Sequence, residues 1–444
     1  MRTVTSSLAT AVLTTALVAP AQAQQSAEQR LEELEKKVDI LSQEVEGKRR
    51  EGLVSEEYDY EPAYGVGGAG AKVYAIDQGL SIGGYGHGYY RNSSIDGANE
   101  TDIYRQIFYF GYRFNDWILL NTEIEIEHVE EIYVEFAYLD FLLHEKANVR
   151  AGMMLSPLGL VNEIHEPTTY FGNIRPEVEK RIIPTTTREN GVGLYGNLTD
   201  TLEYRLYVQN SFNAIGVEDR DDDGTDEGKS TIGQGDIRDV RQKGAEAQAD
   251  DLAVTGRLDW KPLSGVILGG SFWTGDMGHE QELFDTNGDS LGKPGVNMNL
   301  YEVHAQYKRH GWWLRGMFAQ AQIDDTEKLS ESISDPNSGE HGVSDTMTGW
   351  YAEVGYDIMP FIADRPEQSL YPWVRYTDLD TNSDVPAGYT EDPAQDRTIT
   401  EVGLHYMPHP NVVIKGEVKQ WDSEASGDAN NNQTEYLVGI GYNF

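Results

Sequence analysis

From Leu80 to Phe444, apolar and polar residues alternate with a period of two. In the last segment Tyr436, Val438, Ile440 and Tyr442 share one face, and Glu435, Leu437, Gly439 and Gly441 share the other. Tyr301, Val303, Ala305 and Tyr307 alternate with Glu302, His304, Gln306 and Lys308, and Ile118, Leu120, Ile124 and Ile126 with Asn121, Glu123, Glu125 and Glu127. Successive side chains of a strand point to opposite faces of its sheet, so each segment reads as a strand with one apolar face. About sixteen such segments run from near 80–91 to 434–444. Tight connections such as Asn115-Asp116, Thr199-Asp200 and His310-Gly311 alternate with long polar ones such as Asn213–Asp250, Met277–Asn297 and Ile323–Thr346. Two boundaries break the rhythm, a short one at Val129–Glu131 and a longer one at Met359–Gln368. Lipid offers backbone groups no hydrogen-bond partner, so a sheet that crosses a bilayer has to close on itself. An even strand number, with short turns at one rim and long loops at the other, predicts an all-β transmembrane antiparallel β-barrel of about 16 strands over 80–444. Alternation also occurs in soluble secreted sheets, which leaves that class as the alternative.

The segments before the barrel read differently. Residues 1–23 have a basic start at Arg2, an apolar run and Ala21-Gln22-Ala23, the pattern of a secretory signal peptide. Within 24–50, Leu31, Leu34, Val38, Leu41 and Val45 are spaced 3, 4, 3, 4, which is a heptad seam. Such a narrow stripe predicts a short α-helical coiled coil, or else a helix docked on its own protein. Residues 51–79, rich in Gly, Tyr and Glu near their start, read as a linker. The chain has no cysteine, which excludes disulfides and thiolate chemistry, and its net charge of −39 argues against a nucleic-acid partner.

Two stretches resemble known proteins. Phe444, preceded by alternating Tyr442, Ile440 and Val438, resembles the C-terminal signal that the barrel-assembly machinery reads in bacterial outer-membrane barrels. Gly152–Gly196 resembles the phosphate-selective porin O and P family, through Asn162-Glu163, His165-Glu166-Pro167, Arg175-Pro176, Ile183-Pro184-Thr185-Thr186, Glu189 and Gly191. The resemblance implies a homotrimer in the bacterial outer membrane, in contact with lipid, with the coiled coil in the periplasm. By strand count, about 157–188 forms the third loop on the long-loop rim, the one that folds into the lumen in many porins. Its three prolines and mixed charges fit a segment with no strand to pair with. The expected constriction residues are Glu163, His165, Glu166, Arg175, Glu177, Glu179, Arg181 and Arg188. Ile182 and Ile183 are expected to pack the loop on the wall.

By alternation, Arg105, Glu123, Glu125, Arg150, Arg205, Arg257, Arg315, Arg375 and Lys415 point inward, as pore-lining residues or as ion pairs within the wall. Glutamates crowd the third and fourth strands while arginines scatter around the wall, so a transverse field across the lumen is expected. Asp219, Asp221 and Asp223 begin like a calcium loop, but its twelfth position is Ser230 rather than glutamate. No metal site and no cofactor is therefore expected, beyond weak divalent-cation binding by acidic loops. The histidines are dispersed, without H-E-x-x-H or G-x-S-x-G, and no enzyme is expected. The expected function is a water-filled channel for passive diffusion of small hydrophilic solutes or ions. The alternatives are a phosphate- or anion-selective channel and a structural or adhesive surface protein.

Overall fold

The computed structural model describes residues 36–38, 61–94, 99–219, 226–233, 235, 237–334, 340–425 and 432–444, without the side chains of 217–219 and 226–228. The chain divides into two units, 1–58 and 59–444. In the first, only 36–38 are described; they are helical, and Val38 of the expected seam is exposed. The signal peptide, the other seam positions, Asp221 and Asp223, and the side chain of Asp219 lie outside the described residues.

All sixteen alternating segments become strands of one closed barrel in which sequence neighbours pair antiparallel. These are β1 (Gly79–Ser93), β2 (Asn99–Arg113), β3 (Ile118–Glu127), β4 (Glu131–His144), β5 (Ala147–Leu155), β6 (Arg188–Thr199), β7 (Leu202–Asn210) and β8 (Leu252–Trp260). They continue with β9 (Val266–Asp276), β10 (Asn297–Arg309), β11 (Trp312–Ile323), β12 (Thr346–Tyr356), β13 (Ser369–Asp384), β14 (Asp396–His409), β15 (Val412–Ser423) and β16 (Asn432–Asn443). β1 closes on β16 from Tyr85 opposite Asn443 to Ser93 opposite Glu435. Phe444 extends the seam by exchanging backbone hydrogen bonds of 2.9 and 3.0 Å with Gly84.

The faces follow the sequence pattern. On β10, Met298, Leu300, Glu302 and His304 are buried inside, while Tyr301 and Val303 are exposed outside. The outer surface is an apolar belt that includes Leu206, Leu258, Val303, Val402, Leu404 and Val438. Near the short-turn rim it carries Tyr112, Phe114, Trp117, Trp260, Trp312 and Phe444, all exposed. Their amphipathic or flat rings suit the boundary between hydrocarbon and headgroups. The two irregular boundaries fall between correctly placed strands. The first is a tight turn at His128–Glu130, and the second contains a one-turn helix, Met359–Ile362.

Residues 61–78, part of the expected linker, do not run as a tether. Val66, Ala69, Ala71 and Val73 are buried, and a short helix α1 (Lys72–Ala75) packs on β1 and β2. Ala63 and Val66 exchange backbone hydrogen bonds of 3.1 and 2.9 Å across a turn with Tyr64 and Gly65 both at positive φ. Glycines supply the space for this plug. A Cβ on Gly83 would lie 2.2 Å from the Ala69 carbonyl oxygen, and one on Gly111 2.5 Å from the Val73 side chain. The Tyr74 hydroxyl donates to Asp140 at 2.5 Å and accepts from Arg150 at 3.0 Å, tying the plug to β4 and β5.

Candidate functional site

The connection from β5 to β6, residues 156–187, folds into the lumen and crosses it. Asn162 fixes the stem. Its Nδ2 donates to the carbonyls of Ser156 and Thr187 at 2.7 and 3.0 Å, and its Oδ1 accepts from the Thr187 N–H at 2.8 Å. Both ends of the loop thus meet on one side chain, which gives the first residue of the sequence motif a structural task.

From the stem the loop meets β3 and β4 and then the plug. His165 Nε2 lies 3.2 Å from Glu135 and 3.6 Å from Glu123. Glu166 accepts from the Ala69 N–H at 2.9 Å and from Asn443 at 3.0 Å. Glu163 pairs with Arg205 at 3.2 Å, and Arg257 donates to the Gly159 carbonyl. At the far wall Phe171 stacks on Trp373 with centroids 5.5 Å apart and touches Trp313 at 4.4 Å. Lys415 donates to the carbonyls of Tyr170 and Gly172 at 3.0 and 2.7 Å, and Arg315 to that of Thr169 at 3.1 Å.

The return limb starts after Pro176 with a short helix, α2 (Glu177–Arg181). Its apolar side, with Ile182 and Ile183, is buried in a cluster that includes Leu158, Phe212 and Leu379. Glu179 accepts from the Tyr351 hydroxyl at 2.7 Å and from the Val161 N–H at 2.6 Å. Glu177 ends a chain of alternating charges along the wall. Arg315 meets Glu353 at 2.5 Å, Glu353 meets Arg375 at 2.7 Å, and Arg375 meets Glu401 at 2.8 Å. Lys419 then lies 3.9 Å from Glu401 and 2.6 Å from Glu177. Burial alone would raise the Glu177 carboxyl, but Lys419, Lys180 and Arg181 outweigh it and hold it well below the usual carboxylate range.

All nine residues expected on the inner face do point inward, and all except Arg257, which is only slightly exposed, are fully buried. Most of the arginines among them meet a carboxylate at close range. Arg105 faces Glu125 at 3.8 Å, Arg150 faces Asp140 at 2.8 Å and Arg257 faces Asp259 at 2.8 Å. The expected transverse field is therefore replaced by local pairing. A buried charge is costly unless paired, and the loop and plug remove the water that would otherwise solvate these groups. Of the expected constriction residues, Glu163, His165, Glu166, Arg175, Glu177, Glu179 and Arg188 are buried, and Arg181 is partly open.

A cavity of about 590 Å³ opens beside α2, toward the long-loop rim. Seven basic side chains line it against three acidic ones, among them Arg91, Arg175, Lys180, Arg181, Arg238 and Arg397. Arg175 is only 7% exposed, and its Nε and Nη2 have no hydrogen-bond partner among the described residues. Behind it, Arg238 donates to the Lys180 and Thr185 carbonyls at 3.1 and 2.7 Å, and Arg241 to that of Pro184 at 3.2 Å. Burial, and then Arg238, Arg188 and Arg175, push the Arg241 guanidinium below its ordinary value. A chain of net charge −39 thus places five arginines around one cavity. Sequence reasoning singled out Arg175 and Arg181 but missed Arg91, Arg238 and Arg397, which come from other connections and strand ends and share no motif with the loop.

Comparison with known proteins agrees with the architecture. No protein-family model matches the chain. An outer membrane protein of Vibrio cholerae, OmpT with loop L8 deleted, superposes with a TM-score of 0.51 at 11% identity, covering 83% of this chain and 100% of that one. OmpF of Salmonella typhi, in complex with daunomycin, gives 0.50 at 14% identity, covering 82% and 97%. The fold is that of bacterial outer-membrane porins. In sequence, the chain is 36% identical over 381 residues to a protein of Aquifex aeolicus (strain VF5) described as "Uncharacterized protein", covering 83% of this chain and 82% of the other. The chain belongs to the same family as that Aquifex protein.

Proposed function

We propose that the protein is an outer-membrane channel for passive diffusion of small hydrophilic solutes, with a preference for anions. The observation that carries the preference is the basic cavity with Arg175, a buried guanidinium whose Nε and Nη2 have no hydrogen-bond partner among the described residues. A guanidinium held this way is ready to bind an oxyanion, since its donors cost desolvation energy until they are used. Seven basic side chains against three acidic ones give this cavity an excess of positive charge. The resemblance of the inward loop to the phosphate-selective porins favours the same reading, and phosphate is the first anion to try. A homotrimer, in register with the heptad seam at Leu31–Val45, is the assembly this reading implies.

The test is the reversal potential of single channels in a potassium chloride gradient, for the wild type and for Arg175→Gln. The proposal expects an anion-favouring potential in the wild type that moves toward zero in the variant. A cation-favouring wild type, or a potential that Arg175→Gln leaves unchanged, contradicts the anion preference.

A further inference from the structure

Three side chains from separate segments converge on the lumen wall: Glu123 of β3, Glu135 of β4 and His165 of the inward loop. One ligand atom of each lies within 4.8 Å of the other two, and all three residues are buried. The protonation of His165 is constrained on one side. Its Nδ1 sits 3.0 Å from the Asn162 carbonyl oxygen, which can only accept, so Nδ1 carries a proton and donates it. That leaves Nε2 facing both carboxylates.

With both carboxylates ionised, hydrogen bonding alone does not satisfy this arrangement. A proton on Nε2 serves Glu135 Oε2 at 3.2 Å, but Glu123 Oε1 at 3.6 Å is beyond hydrogen-bond range. Glu123 Oε2 is buried and has no hydrogen-bond partner among the described residues. The neighbouring cations do not fill the gap. Arg188 lies 3.5 Å from Glu135 Oε1, the oxygen that also accepts from Thr186, so Glu135 Oε2 stays turned to the imidazole. Arg105 donates to the Tyr85 hydroxyl at 3.4 Å, and that hydroxyl to Glu123 Oε1 at 3.4 Å, so this guanidinium is one residue removed from the carboxylate.

A divalent ion satisfies all three groups at once. Ligands at about 2.0–2.1 Å in a tetrahedron lie about 3.3 Å from one another. The distances of 3.2 and 3.6 Å from Nε2 to the two carboxylates bracket that edge. The Nδ1–H donated to a backbone carbonyl is the outer contact that orients metal-binding imidazoles. Two carboxylates neutralise a dication, and a nitrogen donor in the set favours a first-row transition ion over calcium or magnesium.

We propose that Glu123, Glu135 and His165 bind one divalent first-row transition ion, which staples the inward loop to β3 and β4. The site is assembled only when the loop is inside the barrel, so the ion would hold the loop in place. This inference does not rest on the channel reading, because metal binding is measured without solute flux.

The experiment strips the purified full-length protein in detergent with EDTA. It then titrates zinc chloride in competition with a chromophoric chelator. The expected result is one tightly held zinc per chain, weakened about tenfold or more in Glu123→Gln and His165→Gln. Asp285→Asn, in an exposed acidic loop, should retain it. Absence of stoichiometric zinc, or zinc held as tightly by Glu123→Gln and His165→Gln as by the wild type, overturns the proposal. Should those variants not fold, X-ray absorption on the zinc-loaded wild type decides. One imidazole with oxygen donors supports the site, and an all-oxygen or several-histidine shell overturns it.

Discussion

Single residues inside this barrel act mostly through their partners. Glu353 is the clearest case, because its two oxygens hold Arg315 at 2.5 Å and Arg375 at 2.7 Å. Glu353→Gln keeps the shape and removes the charge, which leaves Arg315 buried without its counter-ion. Breaking a buried pair from one side costs about 3–5 kcal/mol. The urea midpoint in lipid vesicles should fall accordingly at unchanged slope, and an unchanged midpoint would show that the ion chain contributes nothing. At this scale the sequence showed which residues point inward but not whom they meet. Lys415 reaches a carbonyl 245 positions away and Lys419 a carboxylate 242 away, distances over which alternation carries no information. The choice between pore lining and ion pair is settled only by which loop fills the lumen.

At the scale of elements, the strands were legible because each states its own period, and barrel closure multiplies that statement sixteen times. The inward loop was legible from its length, its prolines and its place in the strand count. The plug was not. GVGGAG has no period, and its packing depends on glycines in two segments, Gly83 facing Ala69 and Gly65 facing Glu163. A Gly-rich run reads as a flexible linker unless the opposing surface is known. The plug occupies lumen that a solute would otherwise use. Deleting 61–75 should therefore raise single-channel conductance, and so should deleting Glu166–Arg181 from the loop. Conductance unchanged by either deletion, in a folded barrel, would place the conducting path elsewhere. The three-residue cluster at His165 was also illegible, because Glu123 and Glu135 look like ordinary inward carboxylates until the loop brings the imidazole to them.

For the whole molecule, the division of surfaces decides what the barrel is. Charge is paired on the inside and gathered in one cavity, and the outside is an apolar belt with aromatic residues near the short-turn rim. Val303 lies midway along β10 and is 58% exposed. If this belt faces hydrocarbon, Val303→Arg costs about 2–4 kcal/mol of stability in vesicles, as for a cation near a bilayer midplane. A soluble barrel would tolerate the same change with little effect. The most direct test of the central claim is solute flux through the purified, folded wild-type protein reconstituted in liposomes. The account predicts swelling in small neutral and anionic solutes, faster for the anions. A folded barrel that passes no solute would contradict it and favour a structural or adhesive role at the cell surface.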